Sequence, residues 1–214
     1  ILSCGVSEDM ISKIDEYNTV IVVSVNSSVA TDAYYNNDKS IITITSSETD
    51  TTVKYTTDGT DPTRTNGTEY TGPLTIQYPA YAAGVLEIRA VAYDSNRMSE
   101  VQSVTVSVGD GLTVPYEIAT AAQLKNVSDR VNDNTHADRS FVQTANISLA
   151  DYQSGEGWVP IGTGTTFVGS YNGQGFIISG LYINRPADNQ GLFGIVRDGA
   201  DLQNINLVSI NITG

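Results

Sequence analysis

The segment Asp201–Gly214, DLQNINLVSINITG, carries its apolar residues at Leu202, Ile205, Leu207, Ile210 and Ile212. The steps between them run three, two, three, two. A step of two turns two side chains of a short strand to one side, and a step of three passes a corner. Few folds accept that rhythm. It describes a chain winding around a narrow core, with short strands on flat sides and small residues at the bends. Asn172–Arg185, NGQGFIISGLYINR, follows the same scheme, with Ile178, Leu181 and Ile183 inward and Gly180 at a corner. Glycine weakens a strand unless a turn or a close backbone approach requires it. Residues 111–214 are therefore expected to form the start of a parallel β-solenoid.

One helix is expected at the head of this region. Thr120 is a suitable N-cap, with Gln123 three residues on as in a capping box. Ala121, Leu124, Val127 and Val131 recur at helical spacing and form one apolar stripe. A helix this short is marginal alone, so it reads as a cap on the first edge of the solenoid.

Residues 19–110 obey a different rule. VIVVSV, SIITITS, TTVKYTTD, VLEIRAVAYD and VQSVTVSV are strand-like, and Val104, Val106 and Val108 alternate with polar residues. Asp58-Gly59, Asp61-Pro62, Asn66-Gly67 and Gly72-Pro73 punctuate them as turns. This pattern predicts a β-sandwich. SVGDGLTVPYEI marks the boundary with the second half. The expected fold class is mainly β: an immunoglobulin-like sandwich, then the start of a parallel solenoid with one capping helix.

Val53–Ile76, VKYTTDGTDPTRTNGTEYTGPLTI, is more specific than a pattern. Tyr55, Thr56, Asp58, Gly59, Pro62, Tyr70 and Pro73, with the continuation Ile88–Glu100, resemble the chitobiase and β-hexosaminidase carboxy-terminal-domain-like family over about residues 30–108. That resemblance implies an immunoglobulin-like module that does no chemistry itself. In the second half, PYEIATAAQL, TANISL, WVPIGT and the stretch from FVGSYNGQG to NITG resemble bacterial surface proteins with GLUG repeats. The Gly-Leu-x-Gly is Gly191-Leu192-Phe193-Gly194. This likeness covers about residues 114–214 and implies no catalytic residues. Only one such unit is present, so a further winding beyond Gly214, or another molecule packed on this end, is expected.

Cys4 is the sole cysteine, which excludes an intrachain disulfide. ILSCG resembles the end of a bacterial lipoprotein signal peptide. The resemblance implies a lipid anchor at Cys4, a tether over residues 1–18 and a place on the extracellular face of the outer membrane. The longest apolar run, Val20–Val25, is strand length and too short to cross a bilayer.

The chain has a net charge of −13 and no cluster of Lys or Arg, so no nucleic-acid partner is expected. His136 is the only histidine and lies in a polar stretch, with no nucleophile elbow or HExxH to join it. Asp58 and Asp61 have spacing that suits calcium, but it equally suits two successive turns, which is the preferred reading. Trp158, Tyr171 and Tyr182 are candidates for a sugar-stacking platform, set against a core or filler role that is preferred. No cofactor is expected. The expected function is a non-catalytic bacterial surface protein for adhesion or ligand presentation, contacting a host or matrix protein or a glycan. The rivals are an accessory region of a larger secreted enzyme that degrades polysaccharide or protein, and a pure spacer.

Overall fold

A computed structural model describes residues 20–213. These are mainly β, with sixteen strands and one α-helix among the described residues. Cys4 and the expected tether lie outside them. Two compact units divide the chain: the first takes residues 20–27, 42–74 and 86–105, and the second takes 28–41, 75–85 and 106 onward. The division is interleaved and does not fall at a single boundary near residue 110.

The sandwich-like region contributes β1 (Val23–Val29), β2 (Lys39–Ser46), β3 (Thr52–Thr56), β4 (Thr68–Glu69), β5 (Leu74–Gln77), β6 (Gly84–Tyr93) and β7 (Gln102–Val108). They form two sheets, ordered β1-β2-β5 and β4-β3-β6-β7. β3 runs antiparallel to both of its neighbours. Alternation sets most of the burial, although on β6 Val91 is buried along with Ala90 and Ala92 on either side of it. Ile42 and Ile44 on β2, and Ile88, Ala90 and Ala92 on β6, are all at most 5% exposed. Val106 and Val108 are buried while Ser103 and Thr105 are exposed, as the period-2 reading predicts.

In the second unit β8 (Tyr116–Ile118) leads to α1 (Ala121–Asn132), then to β9 (Ser140–Gln143) and β10 (Ile147–Ser148). β11 (Ser170–Asn172), β12 (Ile177–Ser179) and β13 (Tyr182–Asn184) follow, and then β14 (Asp201–Gln203), β15 (Asn206–Val208) and β16 (Asn211–Thr213). The strands pair in parallel, in sheets ordered β14-β11-β9-β8, β10-β12-β15 and β13-β16. Phe141, Tyr171 and Leu202 share one register row; Ile147, Ile178 and Leu207 share a second; Ile183 and Ile212 share a third. Each winding thus lays its strands on those of the winding before. Inside lie Phe141, Ile147, Leu149, Trp158, Ile161, Phe167, Tyr171 and Ile178, none more than 2% exposed.

The last strands differ from expectation in one respect. Leu202 and Ile212 are 37% and 41% exposed, although their register partners Tyr171 and Ile183 are fully buried, and Ile210 between the last two strands is 49% exposed. The direction of these side chains is as read from the steps; the burial is not. β14, β15 and β16 are the outermost strands of their sheets among the described residues, so each is covered on one side only. Ile205 and Leu207 still pack against the core.

The glycines of the opening pattern have two separate jobs. Gly180 turns a corner at φ 75°, which an L side chain adopts only with strain. Gly173 lies under the next winding, where a Cβ would collide with the Asn204 carbonyl.

α1 forms as the sequence predicts. Thr120 Oγ1 accepts from the Gln123 amide, and Gln123 Oε1 accepts from the Thr120 amide at 3.2 Å, closing the capping box. Leu124, Val127, Ser128 and Val131 are buried against the windings. The helix end is tied down by Asn132, whose Oδ1 accepts from the amides of Gly162, Thr163 and Gly164 at 3.0, 2.8 and 3.0 Å.

A segment from far upstream completes this unit. Tyr35 is fully buried, stacked on Tyr116 with ring centroids 4.5 Å apart and set edge-on to Phe141 at 5.5 Å. Asn37, 3% exposed, donates Nδ2 to the Pro115 carbonyl and accepts the Glu117 amide on Oδ1, both at 2.9 Å. Gln123 Nε2 donates to Asn36 Oδ1 at 2.7 Å.

Candidate functional site

The structure separates the candidates named from sequence. Trp158 is 1% exposed, donates its indole N–H to the Leu192 carbonyl at 3.3 Å and meets Tyr152 edge-on. Tyr171 is fully buried, and its hydroxyl donates to Gln143 Oε1. Neither offers a ring face to a ligand, so the platform of Trp158, Tyr171 and Tyr182 is not assembled. Tyr182 is half-buried beside Gly157, where any Cβ would strike it. The winding needs large inward side chains to fill its interior, and Trp158 and Tyr171 supply two of them.

Asp58 bonds within its own turn, and Asp61 pairs across to a strand. Asp58 Oδ1 accepts from the amide and hydroxyl of Thr60 at 3.0 and 2.6 Å, and the hydroxyl bond foremost holds its carboxyl below the usual range. Asp61 Oδ1 pairs with Arg89 Nη1 at 2.6 Å. Among the described residues no three His, Cys, Asp or Glu side chains gather as a metal site. His136, read as lying in a polar stretch, instead packs against the rings of Tyr35 and Tyr116 at 5.9 and 5.5 Å. Burial lowers its pKa, because the charged imidazolium loses water there.

Several open grooves lie on the surface of the described residues, and two of them are of small-ligand size. One, of about 620 Å³, lies among the loops of the first unit between Glu48, Asp50, Arg64, Tyr93, Asp94 and Arg97. Its two arginines and Asp94 are committed to groups of the groove itself. Arg64 lies 4.9 Å over the Tyr93 ring and donates to the carbonyls of Asp94 and Arg97, while Arg97 pairs with the Asp94 carboxylate at 2.7 Å. Backbone amides of Arg97 and Asn96 foremost, with the Arg97 side chain, hold the Asp94 pKa at about 2. That arrangement fixes the loops and ties both arginines to groups of the groove itself, leaving the carboxylates of Glu48 and Asp50 at its rim.

The second groove, about 500 Å³, crosses the outer face of the β8-β9-β11-β14 sheet. Because Phe141, Tyr171 and Leu202 face inward, their neighbours face out and line up by register: Ser140, Ser170 and Asp201 in one row, Val142, Asn172 and Gln203 in the next. Asn172 Oδ1 accepts from the Gln174 amide at 2.9 Å and from Asn204 Nδ2 at 3.1 Å. Gln203 Nε2 donates to Asp201 Oδ2 at 2.7 Å. Alternation along Ser170–Asn172 and Asp201–Gln203 was available in the sequence. The rows appear only once the register is known.

One buried acid outside the grooves is electrostatically distinctive. Asp110 is 7% exposed. Burial raises its pKa, but the amides of Val114, Leu112 and Thr113 and the Thr113 hydroxyl outweigh that and bring it to about 2.

Comparison with known proteins places these units in context. Residues 42–106, under a third of the chain, match the family model described as Fn3 associated. A protein of Evansella cellulosilytica named as a Gly-rich membrane protein is 38% identical over 103 residues, which is 46% of this chain and 12% of that protein. Halomucin of Haloquadratum walsbyi is 34% identical over 110 residues, 47% of this chain and 1% of that protein. The chain therefore spans only a small part of the curated relatives it matches. No solved structure matches it. Among the described residues no helix is long and apolar enough to cross a membrane.

Proposed function

We propose that this chain is a non-catalytic part of a bacterial cell-surface protein, and that its parallel windings present a polar face for adhesion or ligand contact. The register rows carry this reading: equivalent outward positions stack on successive windings, and Ser140, Ser170 and Asp201 with Val142, Asn172 and Gln203 form one continuous, mostly polar face. The names of the two relatives, a Gly-rich membrane protein and halomucin, fit a surface setting. The chitobiase-like character of residues 30–108, the GLUG character of residues 114–214 and a solenoid rod built on the described windings belong to the same proposal. So does attachment through a lipid at Cys4 on the outer face of the outer membrane. A host or matrix protein or a glycan is the partner in view.

Two measurements test it. Protease treatment of intact cells of the source organism should remove the epitope carried by these residues, and incorporation of an alkynyl fatty acid should be lost in Cys4→Ser. The 214-residue chain immobilised on beads should retain matrix proteins or glycans. An epitope protected in intact cells overturns the surface reading. Surface exposure with no retention of any partner leaves the spacer as the correct reading.

A further inference from the structure

We propose that the groove on the β8-β9-β11-β14 sheet binds a neutral, hydroxyl-rich saccharide; the inference names the ligand class for the surface reading above and rests on it. Four observations converge. The groove has the size of small-ligand sites. Pro115 and Val142 supply an apolar strip beside the amides, which suits the C–H face of a sugar ring. Asp201 is the only charged residue among those that line it, so a phosphate, sulfate or uronate meets a carboxylate and no cation.

The fourth observation is the orientation of the polar groups. The backbone amide of Gln174 requires an oxygen at Asn172 Oδ1, and Asn204 takes its other lone pair. The Asn172 Nδ2 group is thereby held facing outward as a donor. The Gln203–Asp201 hydrogen bond leaves Gln203 Oε1 and Asp201 Oδ1 as acceptors one winding away. A fixed donor next to fixed acceptors matches the hydroxyl group, which both donates and accepts. The side chains stand on strands paired on both sides, or on one side for β14, so little freedom is lost on binding. An extended peptide that adds as a strand would have to join β14, the outermost strand of this sheet among the described residues, and not lie in the groove, where β11 is already hydrogen-bonded to β9 and β14.

The test is a two-dimensional amide NMR titration of the 214-residue chain with cello-, malto-, manno- and chitohexaose, and with a heparin-derived hexasaccharide as the charged control. Saturable shifts at Asn172, Gln174, Asp201 and Gln203 with at least one neutral sugar are expected, and none with the charged one. Gln203→Ala and Asn172→Ala should each weaken binding about tenfold, the loss of about one hydrogen bond. Gln203→Ala removes one exposed side-chain hydrogen bond, to Asp201, and leaves the backbone bond from Gly173 in place, so it guards against an effect that comes from misfolding. Silence toward all four neutral sugars, tighter binding of the charged one, or shifts elsewhere on the molecule overturns the assignment. Bead retention of a partner that survives Gln203→Ala leaves the surface reading standing while the groove falls. Groove binding in a chain whose epitope is protected in cells does the reverse.

Discussion

Ser209 occupies the corner that Gly180 occupies one winding earlier, and both hold a left-handed backbone, φ 54° and 75°. Only the glycine does so without strain from a Cβ. Replacing Ser209 with glycine should stabilise the last winding by about 0.5–1 kcal/mol, and Gly180→Ala should cost about 1–2 kcal/mol. Amide hydrogen exchange reads the difference. The bonds from Gly180 to the Val208 carbonyl and from Asn211 to the Leu181 carbonyl flank these corners, so their amides should slow in Ser209→Gly and quicken in Gly180→Ala.

Tyr171 and Leu202 test how burial depends on the winding. They share a register row, yet one is fully buried and the other 37% exposed. Tyr171→Ala should cost about 3–5 kcal/mol in chemical denaturation. Leu202→Ala should cost about 1 kcal/mol. Trp158 is the only tryptophan and belongs to the second unit's core, so its fluorescence follows this unit through the transition.

Asn132 closes the end of α1 over three amides. Asn132→Ala leaves the amides of Gly162, Thr163 and Gly164 without their shared acceptor and should cost about 1–3 kcal/mol. Asn132→Asp restores the acceptor but not the donation to the Pro160 carbonyl, so it should recover part of the loss. Thermal unfolding of the three proteins side by side checks the order.

Asp110 predicts an acid response. Its folded pKa, about 2, lies below the unfolded carboxylate value, so its contribution is present above about pH 4 and is lost as the pH falls through about 2. Denaturant unfolding between pH 2 and 5 should show stability rising with pH. Asp110→Asn should flatten part of that slope, and the remainder includes Asp94, whose pKa is also about 2.

Where the sequence was legible, one local rule decided the outcome. The steps of two and three gave the inward direction of Ile178, Leu181 and Ile183 because a strand's alternation survives whatever packs on it. Thr120 and Gln123 announced their helix for the same reason: a capping box is closed within four residues. The misses were long-range. Nothing around Tyr35 or Asn37 says that their partners are Tyr116 and Glu117. Trp158 and Tyr171 look identical in sequence whether they plug a core or face a sugar, and only the stacking of windings decides. The polar groove is legible residue by residue but not as a site, since Asn172 and Gln203 become neighbours through register alone.

The placing of Asn37 has a temporal consequence. Its side chain receives the amide of a residue 80 positions later, so at ordinary elongation rates of about 5–20 residues per second it leaves the ribosome about 4–16 s before that partner does. Tyr35, bound for the same interior, spends that interval as a bare aromatic ring. The nascent polypeptide must therefore shelter this stretch provisionally, and slower translation between the two segments should raise its exposure to chaperones and to misassembly.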